Sequence, residues 1–497
     1  MQNGTRLAAV DLGSNSFRLE IGQLDHGQIQ RTEYLKETVR QGNGLDKDRN
    51  LSVDAMQRGW DCLARFGERI AGFKKSQVRA VATQTLREAR NRDEFLAPAN
   101  KILGFPIDVV SGREEARLIY QGVAHLLPQT GERRLVIDIG GRSTELILGQ
   151  AYEASTLESY RDGSVAWSMR YFAQGVFSPA AFQSAEIAAK AVLDEALNKY
   201  PRRAWDVAYG SSGTVGAIGD ILAAAGWPGG GVTRAGLDWV QERMLKAQSA
   251  DRLSLEGMKE DRRAVLAGGM SVLRAIVELL DIEEMQVAQG ALRHGALYDL
   301  LEREHGQTDL RSSSVNRLAL KFNADAAQVQ RVNRVAGLLF RQVSADFSQE
   351  EGERHLRKLG WAVQLHEIGS AISHSDYHKH GAYILDNADA AGFSMPELHR
   401  LGLLVLGHRG KLRKLTIDFE DAVFVRQLLC LRLAVILCHA RRDPDLQGIQ
   451  LGHAENHVFL LQCREGWAVK YPQSAHLLHE ECWAWQKTPW ALQLEAN

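Results

Sequence analysis

Cysteine is scarce in this 497-residue chain, and the five present (Cys62, Cys430, Cys438, Cys463, Cys482) are scattered. No pair has CxxC spacing, so neither a disulfide framework nor a zinc knuckle is expected, and a reducing, cytoplasmic setting fits. There is also no run of about 18 uncharged apolar residues; Leu428–Cys438 is interrupted by Arg432. A membrane-spanning helix is therefore not expected, while peripheral contact with a membrane stays open. The first residues show no charged-then-apolar leader; a strand starts almost at once. Excess charge is missing too, with a net charge of −1 and a pI near 7.0. A polyanion would need a local positive groove, and no nucleic-acid partner is expected. What the chain does have is apolar bulk, 45% of its residues. That suffices for several cores, so three or four domains are expected.

The informative stretch is Arg134–Gly149 (RLVIDIGGRSTELILG). Leu135–Ile137 and Ile139 bracket Asp138, two glycines follow, and a second apolar run returns. This pattern predicts strand, tight turn and strand, with polar groups concentrated at the turn. A bare glycine turn lets backbone N–H groups approach a phosphate, and a neighbouring carboxylate can hold a hard cation such as Mg²⁺. The pattern recurs 127 residues earlier. Asp11 falls on Asp138, Gly13 on Gly140, Ser16 on Ser143, Leu19 on Leu146 and Gly22 on Gly149. Two copies of one phosphate hairpin imply two related half-domains facing a cleft.

Taken in order, residues 6–12 and 17–23 form the first hairpin and Gly42–Leu45 a turn. Ser52 caps a helix to Phe73, with Met56, Trp60, Leu63, Phe66 and Ile70 at helical spacing. Val78–Ala82 is a strand, leaving Arg87 at the start of the following helix. There it can hold an anion or pair with Glu88 or Asp93. Ile107–Val110 is a strand, Ser111 a helix cap, and Glu114 its capping-box partner. Glu115 then stands free at the strand's C-terminal edge. It can act as general base, or merely answer the helix dipole. Pro128–Arg133 links the halves. Trp205–Tyr209 is a strand running into Gly210-Ser211-Ser212-Gly213-Thr214 and a helix over 215–224, another turn fit for phosphate. Pro228–Gly231 is a loop, and Glu283–Tyr298 reads as strand, turn and helix.

From about residue 310 helical periodicity dominates and histidines gather: His355, His366, His374, His378, His380, His399 and His408. His366-Glu367 resembles the His-Asp pair of metal-dependent phosphohydrolases, but the helix before it (Val332–Val343) offers no histidine. Buried, hydrogen-bonded histidines are the commoner case. His374, His378, Lys379, His380, His408, Arg409, Lys411, Arg413 and Lys414 read as a basic stripe, either a polyanion track or a solvated face. Residues 448–469 alternate like short strands before a Trp-rich helix.

Six ordered motifs give the sequence a resemblance to the exopolyphosphatase/guanosine pentaphosphatase family over nearly its whole length. They are Asp11-Leu-Gly-Ser-Asn-Ser16, Thr85-Leu-Arg-Glu88, Ser111-Gly-Arg-Glu-Glu-Ala-Arg117, Asp138-Ile-Gly-Gly-Arg-Ser-Thr-Glu145, Gly210-Ser-Ser-Gly-Thr214 and Gly290-Ala-Leu-Arg-His-Gly295. The resemblance implies an α/β fold: two ribonuclease-H-like domains of the actin-like ATPase superfamily (1–126 and 127–309), an all-α HD-like domain (310–415) and a small α+β C-terminal region (416–497). It implies Mg²⁺-dependent hydrolysis of a terminal phosphoanhydride. Glu115 matches the catalytic base, and Asp138, Glu145 and Asp11 the metal-linked acids. Ser14, Asn15, Ser16, Arg87, Gly140, Gly141 and Ser143 match phosphate-binding positions; Gly210, Ser211, Ser212 and Gly213 form the further phosphate turn. The implied track is His378, Lys379, His380, His408 and Arg409. Arg142 departs from the pattern, standing where exopolyphosphatases usually carry a third glycine.

The histidine-bearing segment 366–384 looks more like the exopolyphosphatase branch, so inorganic polyphosphate is the first expected substrate and guanosine pentaphosphate the second. Glu115–His125 looks equally like the pentaphosphatase branch. A homodimer is expected, because long family members pair through their helical parts. A sugar or acetate-type kinase shares the duplicated hairpins but would need an acceptor. A non-enzymatic nucleotide sensor would bind without turnover.

Overall fold

The computed structural model describes residues 2–227, 231–304, 310–454 and 457–496. They divide into two compact units, 1–309 and 310–497. Residues 228–230 of the expected loop Pro228–Gly231 lie outside the described residues, as does the stretch 305–309 at the boundary between units; Gly231 itself opens a strand.

The first unit holds two sheets of one design. β1 (Arg6–Leu12), β2 (Ser16–Asp25), β3 (Gln28–Thr38), β4 (Val78–Ala82) and β5 (Ile107–Val109) lie in the order β3-β2-β1-β4-β5. β6 (Arg133–Ile139), β7 (Thr144–Gln150), β8 (Glu153–Tyr160), β9 (Val207–Ser211), β10 (Gly231–Thr233) and β11 (Glu284–Val287) lie in the order β10-β11-β9-β6-β7-β8. In both, the first two strands form an antiparallel hairpin, and the first strand pairs in parallel with the strand beyond it. The second sheet is the first repeated, with β10 added at an edge. This is the mixed-sheet arrangement of an actin-like ATPase-type fold. β1 and β6 are buried along almost their whole length, which is why they read as apolar runs. The third strand of each hairpin group, β3 or β8, lies at a sheet edge, exposed or half-buried, with no apolar pattern to announce it.

Two helices join the lobes. In the helix Gly112–Ala124 every residue from Glu114 to Ala124 is buried. Its apolar face meets Val136, Ile147 and Tyr209 of the second sheet. Leu292–Glu304 comes after the second sheet yet returns to the first lobe, where Ala296, Leu297 and Leu300 pack on Leu7 and Ala9. The two helices cross with backbones touching. A Cβ at Gly295 would collide with the Leu118 carbonyl, and one at Gly122 with that of Ala291. The two glycines of the motif Gly290–Gly295 are thus explained by packing. Ser111 caps the first helix, accepting from Glu114 N at 3.2 Å. The reciprocal half of the expected capping box is missing, because the Glu114 carboxylate binds Arg117 through two contacts of 2.8–2.9 Å.

In the second unit one hydrophobic core extends from Val315 to Leu492, continuing across residue 415. Helices 326–342, 349–365, 377–386, 395–407 and 422–437 surround it. The small sheet at its end is β12 (Ile449–Ala454), β13 (Val458–Cys463) and β14 (Ala491–Ala496), in that order. All five cysteines are buried and unpaired. No helix among the described residues is long and apolar enough to cross a membrane.

Two expectations for this unit are corrected. His408 is not on a solvated basic face. It is 2% exposed, burial holds its pKa well below the usual histidine value, and its Nδ1 lies 2.5 Å from the Val405 carbonyl. Lys379 pairs with Asp376 at 2.9 Å, Arg409 lies over the Tyr377 ring, and His378 and His380 are half-buried, so the five residues do not form one open track. Glu367, in the acid position beside His366, is held by Arg441 at 2.7 Å. Among the described residues no three His, Cys, Asp or Glu side chains are placed to hold a metal ion.

Candidate active site

The two hairpin turns meet at a cleft of about 380 Å³ between the lobes of the first unit. The second turn is closed by a backbone hydrogen bond. Gly140 N donates to Ser143 O at 2.8 Å. A Cβ at Gly13 or Gly140 would press on the carbonyl of Ser16 or Ser143. The turns approach so closely that a Cβ on Gly141 would lie 3.0 Å from Ser14 Cβ. Ser14 is fixed from behind: Thr85 Oγ1 donates to its hydroxyl at 2.7 Å, and Gly42 N to its carbonyl at 2.8 Å. Asn15 Nδ2 and Ser16 Oγ are buried without a hydrogen-bond partner among the described residues. Unsatisfied buried donors are costly, and here they sit where an anion would satisfy them.

Asp11, Ser14, Asn15, Ser16, Glu115, Asp138, Gly140, Gly141, Ser143, Ser212 and Gly213 line the cleft together. The strand register sets their charge balance. Asp11 lies opposite Arg18, whose Nη1 donates to it at 3.0 Å. Asp138 lies opposite Glu145. Burial pushes Asp138 up to about 6, against the Ser211 hydroxyl and Arg18, with the Asp11 charge adding to the rise. Burial likewise raises Glu115 to about 7, with Arg87 opposing it and the charges of Asp138 and Asp11 reinforcing it. Glu145 is driven well above the usual range by burial and by the charges of Glu115 and Asp138. A buried carboxyl raised toward neutrality in the wall of this cleft is suited to accept a proton there.

Four expected phosphate or metal positions are placed differently. Arg87 does not line the cleft; its guanidinium is committed to Gln84, to the Val110 carbonyl at 2.7 Å and to Glu115 at 3.1 Å. It pairs with neither Glu88 nor Asp93. Gly210 is inside β9, its missing side chain making room for Val215 and Met285. Ser211 is fully buried and donates to the Gly290 carbonyl at 2.8 Å. Glu145 is 1% exposed, behind the lining, and accepts from Ser159 Oγ at 2.7 Å.

Sequence reasoning missed the far wall of the cleft: Arg18, Tyr34, Lys36, Lys259, Arg262 and Arg293. Arg18 carried a signal, since it occupies in the first hairpin the place of Glu145 in the second. Tyr34 and Lys36 are on the unpatterned edge strand β3 and carried none. Arg262 lies against Gly213, where any Cβ would strike its guanidinium.

The comparisons with known proteins come to bear on this geometry. The profile of the Ppx/GppA phosphatase family matches residues 21–304, and that of Ppx/GppA phosphatase domain III matches 310–482. A protein of Vibrio cholerae, named guanosine-5'-triphosphate,3'-diphosphate pyrophosphatase, is 38% identical over 99% of this chain and 98% of its own. A protein of that name from Pseudoalteromonas translucida is 39% identical over 98% of this chain and 97% of its own. Among solved structures, the Aquifex aeolicus member of the Ppx/GppA family is similar with a TM-score of 0.51 at 24% identity, over 61% of this chain and 99% of that one. An exopolyphosphatase from Cytophaga hutchinsonii gives 0.54 at 22% identity, over 60% and 98%.

Proposed function

Because this chain belongs to the Ppx/GppA phosphatase family and is a phosphoanhydride hydrolase, we propose that its substrate is guanosine 5'-triphosphate 3'-diphosphate, cut at the terminal 5'-phosphate. The sequence alone ranked inorganic polyphosphate first. The full-length likeness to proteins named for the guanosine substrate supports the opposite order. The cleft agrees in its chemistry. Beyond the glycine turns it presents Tyr34 and the cations Lys36, Lys259, Arg262 and Arg293, which suit a compact nucleotide bearing phosphates at two positions.

The observation that carries the mechanism is the convergence of Glu115 with Asp138 and both glycine turns on one cleft. The turn N–H groups, with Asn15 and Ser16, take the oxygens of the terminal phosphate. Glu115 accepts a proton from the water that attacks phosphorus as the anhydride oxygen leaves with the shortened nucleotide. Arg87 holds the Glu115 carboxylate in place.

The donor set suits Mg²⁺. Asp138 and Asp11 offer hard oxygens, and the rise in Asp138 comes first from its burial, with the Asp11 charge adding to it against Arg18 and Arg293. No three ligating side chains among the described residues enclose an ion. Mg²⁺ takes one or two carboxylates and completes its shell with water and phosphate. Bound there, it would neutralise phosphate charge as the anhydride breaks.

The test is the ratio of phosphate released from guanosine 5'-triphosphate 3'-diphosphate to that from long polyphosphate, in Mg²⁺ and without an acceptor. We expect kcat/KM for the nucleotide to exceed that for polyphosphate by about tenfold or more. A ratio below one restores polyphosphate as the main substrate. Release only with an acceptor present would indicate a kinase.

A further inference from the structure

Arg142 departs from the glycine pattern of its turn, and its side chain neither enters the cleft nor points to solvent. It crosses to the other lobe. Nε and Nη2 donate to Glu88 Oε2 at 3.3 and 3.2 Å, and Nη1 donates to the Gly42 carbonyl at 3.2 Å. Both targets belong to the first lobe, and each leads to the site. The 40–44 turn donates from Gly42 N to Ser14 O and from Arg40 N to Asn15 O, so it carries the first phosphate turn. Glu88 accepts from Gln84 Nε2 at 2.7 Å, Gln84 Oε1 accepts from Arg87 Nε at 3.0 Å, and Arg87 Nη1 donates to Glu115 at 3.1 Å. An unbroken chain of hydrogen bonds thus runs from the second lobe's glycine turn to the base on the first.

We propose that Arg142 is a positioning residue: it clamps the two glycine turns together across the cleft and, through Glu88, Gln84 and Arg87, holds Glu115 in its working orientation. The clamp rests on the reading of Glu115 as the base. Its energy is more than that of a surface pair, because the side chains of Arg142 and Glu88 are only 23% and 13% exposed. It acts where the lobes come closest, beside the Gly141–Ser14 approach. Gly163 makes this possible, since a Cβ there would collide with the Arg142 backbone. Arg161 also faces Glu88, but at 4.0 Å and 75% exposed, so it is a weak substitute.

The experiment uses the full chain and guanosine 5'-triphosphate 3'-diphosphate in Mg²⁺, with Arg142→Met, Arg142→Lys, Glu88→Gln and the Arg142→Met/Glu88→Gln double variant. Orientation lost without loss of binding should lower kcat of Arg142→Met about tenfold while KM moves less than about threefold. Arg142→Lys, which keeps one contact to Glu88, should recover at least about half of kcat, and the double variant should be no worse than either single one. Melting temperatures separate this from unfolding; if Arg142→Met does not fold, Arg142→Lys and Glu88→Gln decide by the same kcat criterion. A kcat within about twofold of the parent, losses that multiply in the double variant, or a loss confined to KM would overturn the clamp. Turnover surviving in Glu115→Gln would instead remove the reading of the base, a separate outcome.

Discussion

In the first hairpin Asp11 faces Arg18 across the strand pair; in the second Asp138 faces Glu145. The turns share the glycine two residues after the acid, its close approach to the carbonyl three residues on, and their place in equivalent sheets. Their charge differs. The first acid has its counter-ion built in at 3.0 Å. The second is set beside another acid and near Glu115, and all three carboxyls of that group are raised. The duplicated scaffold thus carries a paired acid in one hairpin and a group of raised carboxyls around the other; in the reading proposed above, the first side holds phosphate and the second recruits a cation and a proton.

The sharpest way to break this comparison is to remove each aspartate in turn. Asp138→Asn should lower kcat/KM by about a hundredfold or more and raise the Mg²⁺ needed for half-maximal activity by about tenfold. Asp11→Asn should shift the Mg²⁺ requirement less than about threefold, its charge having been answered by Arg18. Equal shifts in a metal titration would end the distinction.

Arg18→Met tests the neutralised side. With a cation of the cleft lost, KM for the nucleotide should rise about tenfold with a smaller change in kcat, measured by steady-state kinetics. A fall in kcat alone would place Arg18 with the chemistry.

The smallest effect is on stability. Glu115 and Asp138 have folded-state pKa values of about 7 and about 6, above their ordinary values of 4.5 and 3.8. The folded protein therefore binds more protons than the unfolded chain between those limits. The resulting stabilisation is complete below the ordinary values and is lost as pH rises through the folded ones. In EDTA the melting temperature should fall between about pH 5 and 8 from this source, and Glu115→Gln or added Mg²⁺ should flatten the fall. A melting temperature that rises with pH over this window would contradict the burial of these carboxyls.

The hairpins and Glu115 were legible because their chemistry is local: glycine turns between apolar strands, and an acid just past a helix cap. Arg18 was missed, although the 127-residue repeat sets it on Glu145 and offered a way to find it. Arg87 was not legible, since its partners Val110 and Glu115 are more than twenty positions away. Gly210 was misplaced because a Gly-Ser-Ser-Gly run does not reveal which glycine still belongs to the strand. The edge strands β3 and β8 bury too little to leave an apolar pattern. His408 looked basic beside Arg409, yet just past the end of the helix 395–407 the first is buried and the second exposed.

The most direct measurement compares binding and turnover of guanosine 5'-triphosphate 3'-diphosphate by Glu115→Gln. The amide keeps the shape of the carboxyl but cannot take the proton. The account predicts a dissociation constant within about threefold of the parent and turnover reduced about a thousandfold. Turnover within about tenfold of the parent would contradict it.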